Sequence, residues 1–232
     1  MSEQHPDYIG HRQRLRQRFL VGFGRDMADY ELLELLLTFA IPRKDVKPLA
    51  KKLITQFGNF ANVIAAPEYK LRGIDGIKDN SLTLLKLIHA SSQRLCWQNL
   101  ESDDLPVLFN IDTLIDYCRS TIAYSEVEEL YILYLDVKLK IVDKELFQKG
   151  SLSSVCSSPR EIVKSSIDKN ASGIIMVHNH PSGSAKPSSN DIELTKKVEQ
   201  ACSLMGIKLH EHIIITKSDY FSFLEHKLID MR

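Results

Sequence analysis

Apolar and polar residues are patterned differently in the two parts of this 232-residue chain. Up to about residue 100 the pattern is helical. Residues 30–39 are dense in Leu and Glu, which predicts a buried helix with a polar edge. Residues 45–56 predict another, with Lys47, Lys51 and Lys52 on solvent. Beyond residue 106, helical and strand-like stretches alternate. A helix is expected near 113–121, strands at 130–136 and 139–143, and a helix after Pro159. A strand follows at 173–178, then a helix at 191–205 with the apolar stripe Leu194, Val198, Ala201 and Met205, then a strand at 209–216. This order predicts an α/β domain of three layers around a mixed sheet, preceded by a small all-α domain.

The strand-to-helix junction carries the candidate chemistry. His178-Asn179-His180-Pro181-Ser182-Gly183 follows the apolar run 173–177, and Ser188 and Asp191 lie downstream. Residues i and i+2 on extended backbone share a face, so His178 and His180 reach one ion with Asn179 turned away. Pro181 has no N–H for a sheet ladder, so the strand ends there. The loop 181–190 is rich in Pro, Gly and Ser. Asp191 opens the next helix near the positive end of its dipole. Ser188 to Asp191 is a capping start, S-x-x-D. Two imidazoles and one carboxylate make a three-ligand metal site with its fourth tetrahedral position open for water, as a catalytic zinc needs. His210 and His212 flank Glu211 without such a loop or downstream acid. They are read as strand ends, or as supports behind a site, rather than as ligands.

Zinc brings the pKa of its water to about 7. Amide hydrolysis also needs a proton delivered to the leaving nitrogen, commonly by a carboxylate that does not bind the metal. Glu126, Glu128 and Glu129 precede the β-rich run 130–135, and any of the three can serve. The residues alone do not choose among them.

Composition narrows the setting. Hydrophobic content of 44% supports a real core. No stretch of 18 or more apolar residues predicts a membrane span, and the first residues carry no apolar signal segment. Cys96, Cys118, Cys156 and Cys202 lie far apart without C-x-x-C, which predicts reduced thiols and a cytoplasmic home. Cys156 is expected to be a small buried hydrophobe. Net charge is zero but unevenly spread. Residues 1–100 hold 15 Lys and Arg against 10 Asp and Glu, a net of +5; residues 101–232 hold 15 against 20, a net of −5. The split predicts a helical domain over 1–100 and a second domain over 106–232, joined through the polar stretch "NLESDDLP". Arg12, Arg14, Arg16 and Arg18 give the first domain a basic opening.

"HNHPSGSAKPSSND" resembles the JAMM (JAB/MPN) metalloprotease signature, H-x-H-P followed by S-x-x-D. The match is to the bacterial RadC-like branch, historically called DNA repair proteins (UPF0758 type). "SPREIVKSSIDKNASGIIMVHNHPSG" extends it upstream and "DIELTKKVEQACSLMGIKLHEHIII" downstream. The resemblance implies a cytidine-deaminase-like three-layer fold. It also implies one zinc ion per chain, with His178, His180 and Asp191 as ligands and Ser188 supporting the oxyanion. The family sets its general acid/base eight residues before the Asp that ends the first apolar strand; with that Asp at Asp136, the resemblance implies Glu128. Three positions depart from the branch: Ser158 where it has His, Gly150-Ser151 where it has Gly-Thr, and Glu211-His212 where it has Asp-His. Arg160 and Glu161, which follow Ser158, are read as an exposed helix start. "LRGIDGIKDNSLTLLKLI" resembles a helix-hairpin-helix, with Gly73 and Gly76 allowing the turn and Lys78 where a third glycine usually stands. Such hairpins present backbone N–H groups to phosphates.

Three functions follow. The first is a zinc-dependent hydrolase acting on a peptide or isopeptide bond of an unidentified protein or peptide substrate. The second is a DNA-associated repair or mobile-element protein that binds or cuts DNA, contacting it through the N-terminal domain. The third is a non-catalytic scaffold, which predicts lost ligands where this chain keeps all three. No membrane partner is expected, and the reading admits a homodimer. A deaminase is excluded, since H-x-E and P-C-x-x-C are both missing.

Overall fold

A computed structural model describes residues 8–102, 106–150 and 158–229. Ser151 and Cys156 lie outside the described residues. The first part is helical, as its pattern predicts: α1 (Tyr8–Gly22), α2 (Asp29–Ala40), α3 (Lys47–Phe57), α4 (Phe60–Ala65), α5 (Glu68–Arg72) and α6 (Asp79–Ser102). Leu33, Leu37, Leu53, Leu71 and Leu85 form its dry core. Lys51 and Lys52 are exposed as expected, while Lys47 is half-buried. Glu31 closes the start of α2 by accepting from the Ala28 N–H at 3.0 Å, and Asn59 caps α4 through the Asn62 N–H at 2.8 Å. The α5–α6 hairpin needs only its second glycine. Gly76 has φ +98° with Leu49 packed 3.2 Å from where a Cβ would sit, whereas Gly73 has an ordinary helical φ of −71°. Contacts divide the chain into two compact units, 1–91 and 92–232, so the division falls within α6.

The second unit is α/β. Its elements after α6 are α7 (Ile111–Ile122), β1 (Glu129–Leu135), β2 (Ile141–Lys149), α8 (Pro159–Asp168), β3 (Gly173–Asn179), α9 (Ser189–Leu204), β4 (Lys208–Ile215) and β5 (Tyr220–Ser222). The five strands form one mixed sheet in the order β2-β1-β3-β4-β5. Only β3 and β4 run parallel, and α9 makes the crossover between them. Strands β1 and β3 read as nearly continuous apolar runs because both faces are covered. Leu133, Leu135, Ile175, Val177, Ile213 and Ile215 pack with residues of α7. Leu130, Ile132, Ile174, Met176 and Ile214 pack with residues of α8 and α9. The result is the expected three-layer arrangement.

Two elements differ from expectation. The second strand, expected at 139–143, runs 141–149 at the sheet edge. Charged residues stand at four of its nine positions, Asp143 and Lys149 of them exposed, so its apolar signal is thin. Helix α9 is rotated relative to its apolar stripe. Its buried face is Asp191, Thr195, Val198 and Cys202, while Leu194 is half-buried and Met205 lies past the helix, 57% exposed. The rotation turns two polar residues, Asp191 and Thr195, toward the sheet, where the site described next gives them partners.

Candidate metal centre

His178 sits at the end of β3, on the face covered by α9, opposite Leu130 of β1. The backbone N–H of His180 makes the next ladder bond, to the Ile215 carbonyl at 3.1 Å, and Pro181 then ends the pairing. His178 and His180 therefore project to one side of the strand end, and Asp191 meets them from the first turn of α9. His178 Nε2 lies 3.0 Å from His180 Nε2 and 3.4 Å from Asp191 Oδ1; His180 Nε2 lies 3.4 Å from Asp191 Oδ2. One donor atom from each residue falls within 4.8 Å of the others.

The surroundings aim these atoms. His180 Nδ1 stands 2.8 Å from the Ser184 carbonyl, which can only accept, so Nδ1 carries the proton and Nε2 offers its lone pair inward. Asp191 Oδ2 accepts from the Ser188 N–H and from Ser188 Oγ, each at 2.6 Å, while Ser188 Oγ accepts from the Asp191 N–H at 3.2 Å. Ser188 is thus the N-cap of α9 and the holder of the Asp191 carboxylate at once. Burial pushes the Asp191 carboxyl up, but the facing imidazoles of His178 and His180 and the hydrogen bond from Ser188 outweigh it and hold the carboxyl well below the usual range. Burial lowers His178, and the facing Asp191 carboxylate raises His180. Two imidazole nitrogens and a carboxylate facing one point form a donor set that fits zinc, and the surface-facing side of His180 leaves it reachable.

The three candidate bases part company. Glu129 is turned away into an ion pair with Lys149 at 2.9 Å. The β1–β3 register, continued two residues past Leu130–His178, sets Glu128 beside His180 on the α9 face. The negative charge of Glu128 acts on both His178 and His180. Glu126 lies further back, before the strand begins.

Sequence reasoning missed three participants. Asn179, turned away as expected and fully buried, ties the lead-in to β1: Oδ1 accepts the Glu129 N–H at 2.7 Å, and Nδ2 donates to the Val127 carbonyl at 3.0 Å. His212, read only generally as a strand end or a support, lies 2.8 Å from His178, Nε2 to Nδ1. Thr195 lies 2.6 Å from the other His212 nitrogen. A polar residue inside a buried run is the one signal that marks them. Glu211 is no ligand; its carboxylate accepts from Ser222 Oγ and from the His212 and Leu224 N–H groups. His210 instead covers Gly173. Arg160 and Glu161 are exposed at the start of α8, with the half-buried Ser158 as its N-cap residue.

A mixed-sheet α/β domain with a two-His, one-Asp centre at a strand end, joined to a helical leader, is the class this chain defines. Residues 108–228 match the family model described as RadC-like JAB domain, and the chain belongs to that family. Curated relatives extend the likeness to nearly the whole chain. A UPF0758 protein of Fusobacterium nucleatum is 43% identical over 234 residues, covering 99% of this chain and 100% of the relative. A UPF0758 protein of Ruegeria pomeroyi is 42% identical over 219 residues, 94% and 97% respectively. One of Rhodobacter capsulatus is 40% identical over 215 residues, 93% and 100%. Among the described residues no helix is long and apolar enough to cross a membrane.

Proposed function

We propose that the chain is a zinc-dependent hydrolase of JAMM type, cleaving a peptide or isopeptide bond, with 106–232 as its catalytic domain and 1–100 as a helical leader. The convergence of His178 Nε2, His180 Nε2 and the Asp191 carboxylate carries this reading. When bound, zinc supplies Lewis acidity to the scissile carbonyl and lowers the pKa of the attacking water. His178, His180 and Asp191 would hold it. Glu128 accepts the proton of the attacking water and passes it to the leaving amine nitrogen, so that one carboxylate serves as base and then acid. Ser188 Oγ, turned from Asp191 Oδ2, donates to the developing oxyanion.

The test is zinc content, followed by cleavage of a panel of peptide and isopeptide substrates. Wild type should carry about one zinc per chain, and His178→Ala/His180→Ala none. Glu128→Gln should keep the metal and lose about 10²–10⁴-fold in rate. A wild type that binds no zinc when supplied with it sinks the reading.

DNA association through the N-terminal domain is the second reading, and the α5–α6 hairpin is the observation that favours it. Its Arg72 is already paired with Glu68 at 2.6 Å and Asp79 at 2.8 Å, so phosphate contact there falls to backbone N–H groups. Binding that weakens steeply with salt and is lost on deleting 1–100 supports this reading; salt-independent or absent binding excludes it.

A further inference from the structure

Behind the candidate metal centre, Thr195, His212 and His178 form a hydrogen-bonded line in which every direction is fixed. Thr195 Oγ1 stands 2.6 Å from the Asp191 backbone carbonyl and 2.6 Å from His212 Nδ1. A carbonyl only accepts, so the hydroxyl proton goes to Asp191. The hydroxyl oxygen then accepts from His212, which places that ring's proton on Nδ1. His212 Nε2 is left as an acceptor, and it lies 2.8 Å from His178 Nδ1, which must donate. His178 Nε2 is thereby left with a bare lone pair, turned toward His180 and Asp191.

Thr195 is 1% exposed and both rings are fully buried, so the line lies away from bulk solvent. His212 is stacked on Phe223, with centroids 4.5 Å apart and planes at 21°, and this holds its edge toward the other two. The line begins on the backbone of one proposed ligand and ends on the ring of another, closing a loop outside the metal.

We infer that Thr195 is a positioning residue for the metal centre: its hydroxyl sets, through His212, the tautomer and aim of His178. The inference rests on the metal-centre reading above. Without the hydroxyl, His212 can carry its proton on Nε2. His178 Nδ1 must then accept, and His178 Nε2 carries a proton into the site where a lone pair is needed. Groups that orient a metal-binding His commonly change metal affinity by 10–100-fold when removed.

The test separates the two readings. On metal-free protein at pH 8, long-range ¹H–¹⁵N spectra of the histidines should show His178 and His212 each protonated at Nδ1. Thr195→Val should give a mixture or the opposite tautomer at His178; Thr195→Ser should restore the wild-type pattern. Zinc competition against a chromophoric chelator should show affinity roughly 10–100-fold weaker for Thr195→Val and near wild type for Thr195→Ser. A purely structural Thr195 leaves both readouts unmoved in the folded Thr195→Val protein, and that result overturns the inference. So does a wild-type His178 protonated at Nε2, a measurement that needs no variant to fold. A wild type with the expected tautomers that binds no zinc fails the hydrolase reading instead and leaves the relay standing.

Discussion

Asn179 Oδ1 accepts the backbone N–H of Glu129 at 2.7 Å, so the residue between the two candidate histidine ligands fixes the segment that carries Glu128. The same amide donates to the Val127 carbonyl at 3.0 Å, closing on both sides of Glu128. One short motif therefore faces two ways: its histidines toward the candidate metal centre, its asparagine toward the lead-in of β1. Asn179→Ala leaves a buried N–H and its partners without a side chain. The expected loss is about 1–3 kcal/mol in urea unfolding, with faster hydrogen exchange at the Glu129 amide. Unchanged stability and unchanged exchange would remove the clamp.

Gly173 begins β3 under the ring of His210. A Cβ built there would sit 2.4 Å from His210 Cδ2 and 3.0 Å from the Lys208 carbonyl oxygen. Gly173→Ala should destabilise by about 1–3 kcal/mol, the range for overpacking. Removing the ring in Gly173→Ala/His210→Ala should recover part of the loss, since the backbone contact remains. A double mutant no better than the sum of its singles would show that the ring is not the obstacle.

The strand-loop-helix junction was legible in the sequence because its logic is local. The i, i+2 spacing, the proline and the S-x-x-D cap each act within a few residues, and they put His178, His180 and Asp191 in one place. Strands β1 and β3 were legible because their apolar runs are nearly unbroken, and β4 through its Ile213–Ile215 end. What escaped depends on pairing across the fold. Strand β2 lies at an edge, and its solvent-facing Asp143 and Lys149 dilute the pattern. The rotation of α9 escaped because Leu194, Ala201 and Met205 drew the expected stripe. The helix instead turns Asp191 and Thr195 inward, where Asp191 faces His178 and His180 and Thr195 meets a hydrogen-bond partner in His212. What sets Glu129 apart from Glu128 is also long-range: Lys149 pairs with Glu129, and the β1–β3 register continued past Leu130 carries Glu128 toward His180.

The cysteines offer an independent check on the core. Burial pushes the Cys118 thiol up to about 12 and the Cys202 thiol up to about 11. The thiolate is the species that attacks a disulfide reagent. At pH 8 it makes up roughly one part in 10⁴ of Cys118 and one in 10³ of Cys202. Both should label far more slowly than an unfolded thiol, and Cys202 should gain rate about tenfold per pH unit up to pH 11. Mass-resolved labelling with an aromatic disulfide, native against urea-unfolded, reads this directly. Rapid native labelling of Cys118 would contradict the packing of α7 on the sheet.

Ser188 has two jobs that one substitution can separate. Its oxygen caps α9 at the Asp191 N–H, and its hydroxyl holds Asp191 Oδ2 beside its own backbone N–H. Ser188→Ala removes the cap and one of the two donors, while the backbone donor stays. The structural cost should be about 1 kcal/mol, the usual value of a lost N-cap. Zinc should still bind at one per chain, because the ligands keep their places. The proposed oxyanion role asks for far more: a fall in kcat on the order of 10²–10³, with little change in KM. Ser188→Thr keeps both oxygen functions and should recover the stability. The two readouts therefore need not move together. A mutant that loses the cap energy but keeps its kcat reduces Ser188 to a helix start that steadies Asp191. A kcat loss far beyond the stability loss makes the hydroxyl part of the chemistry.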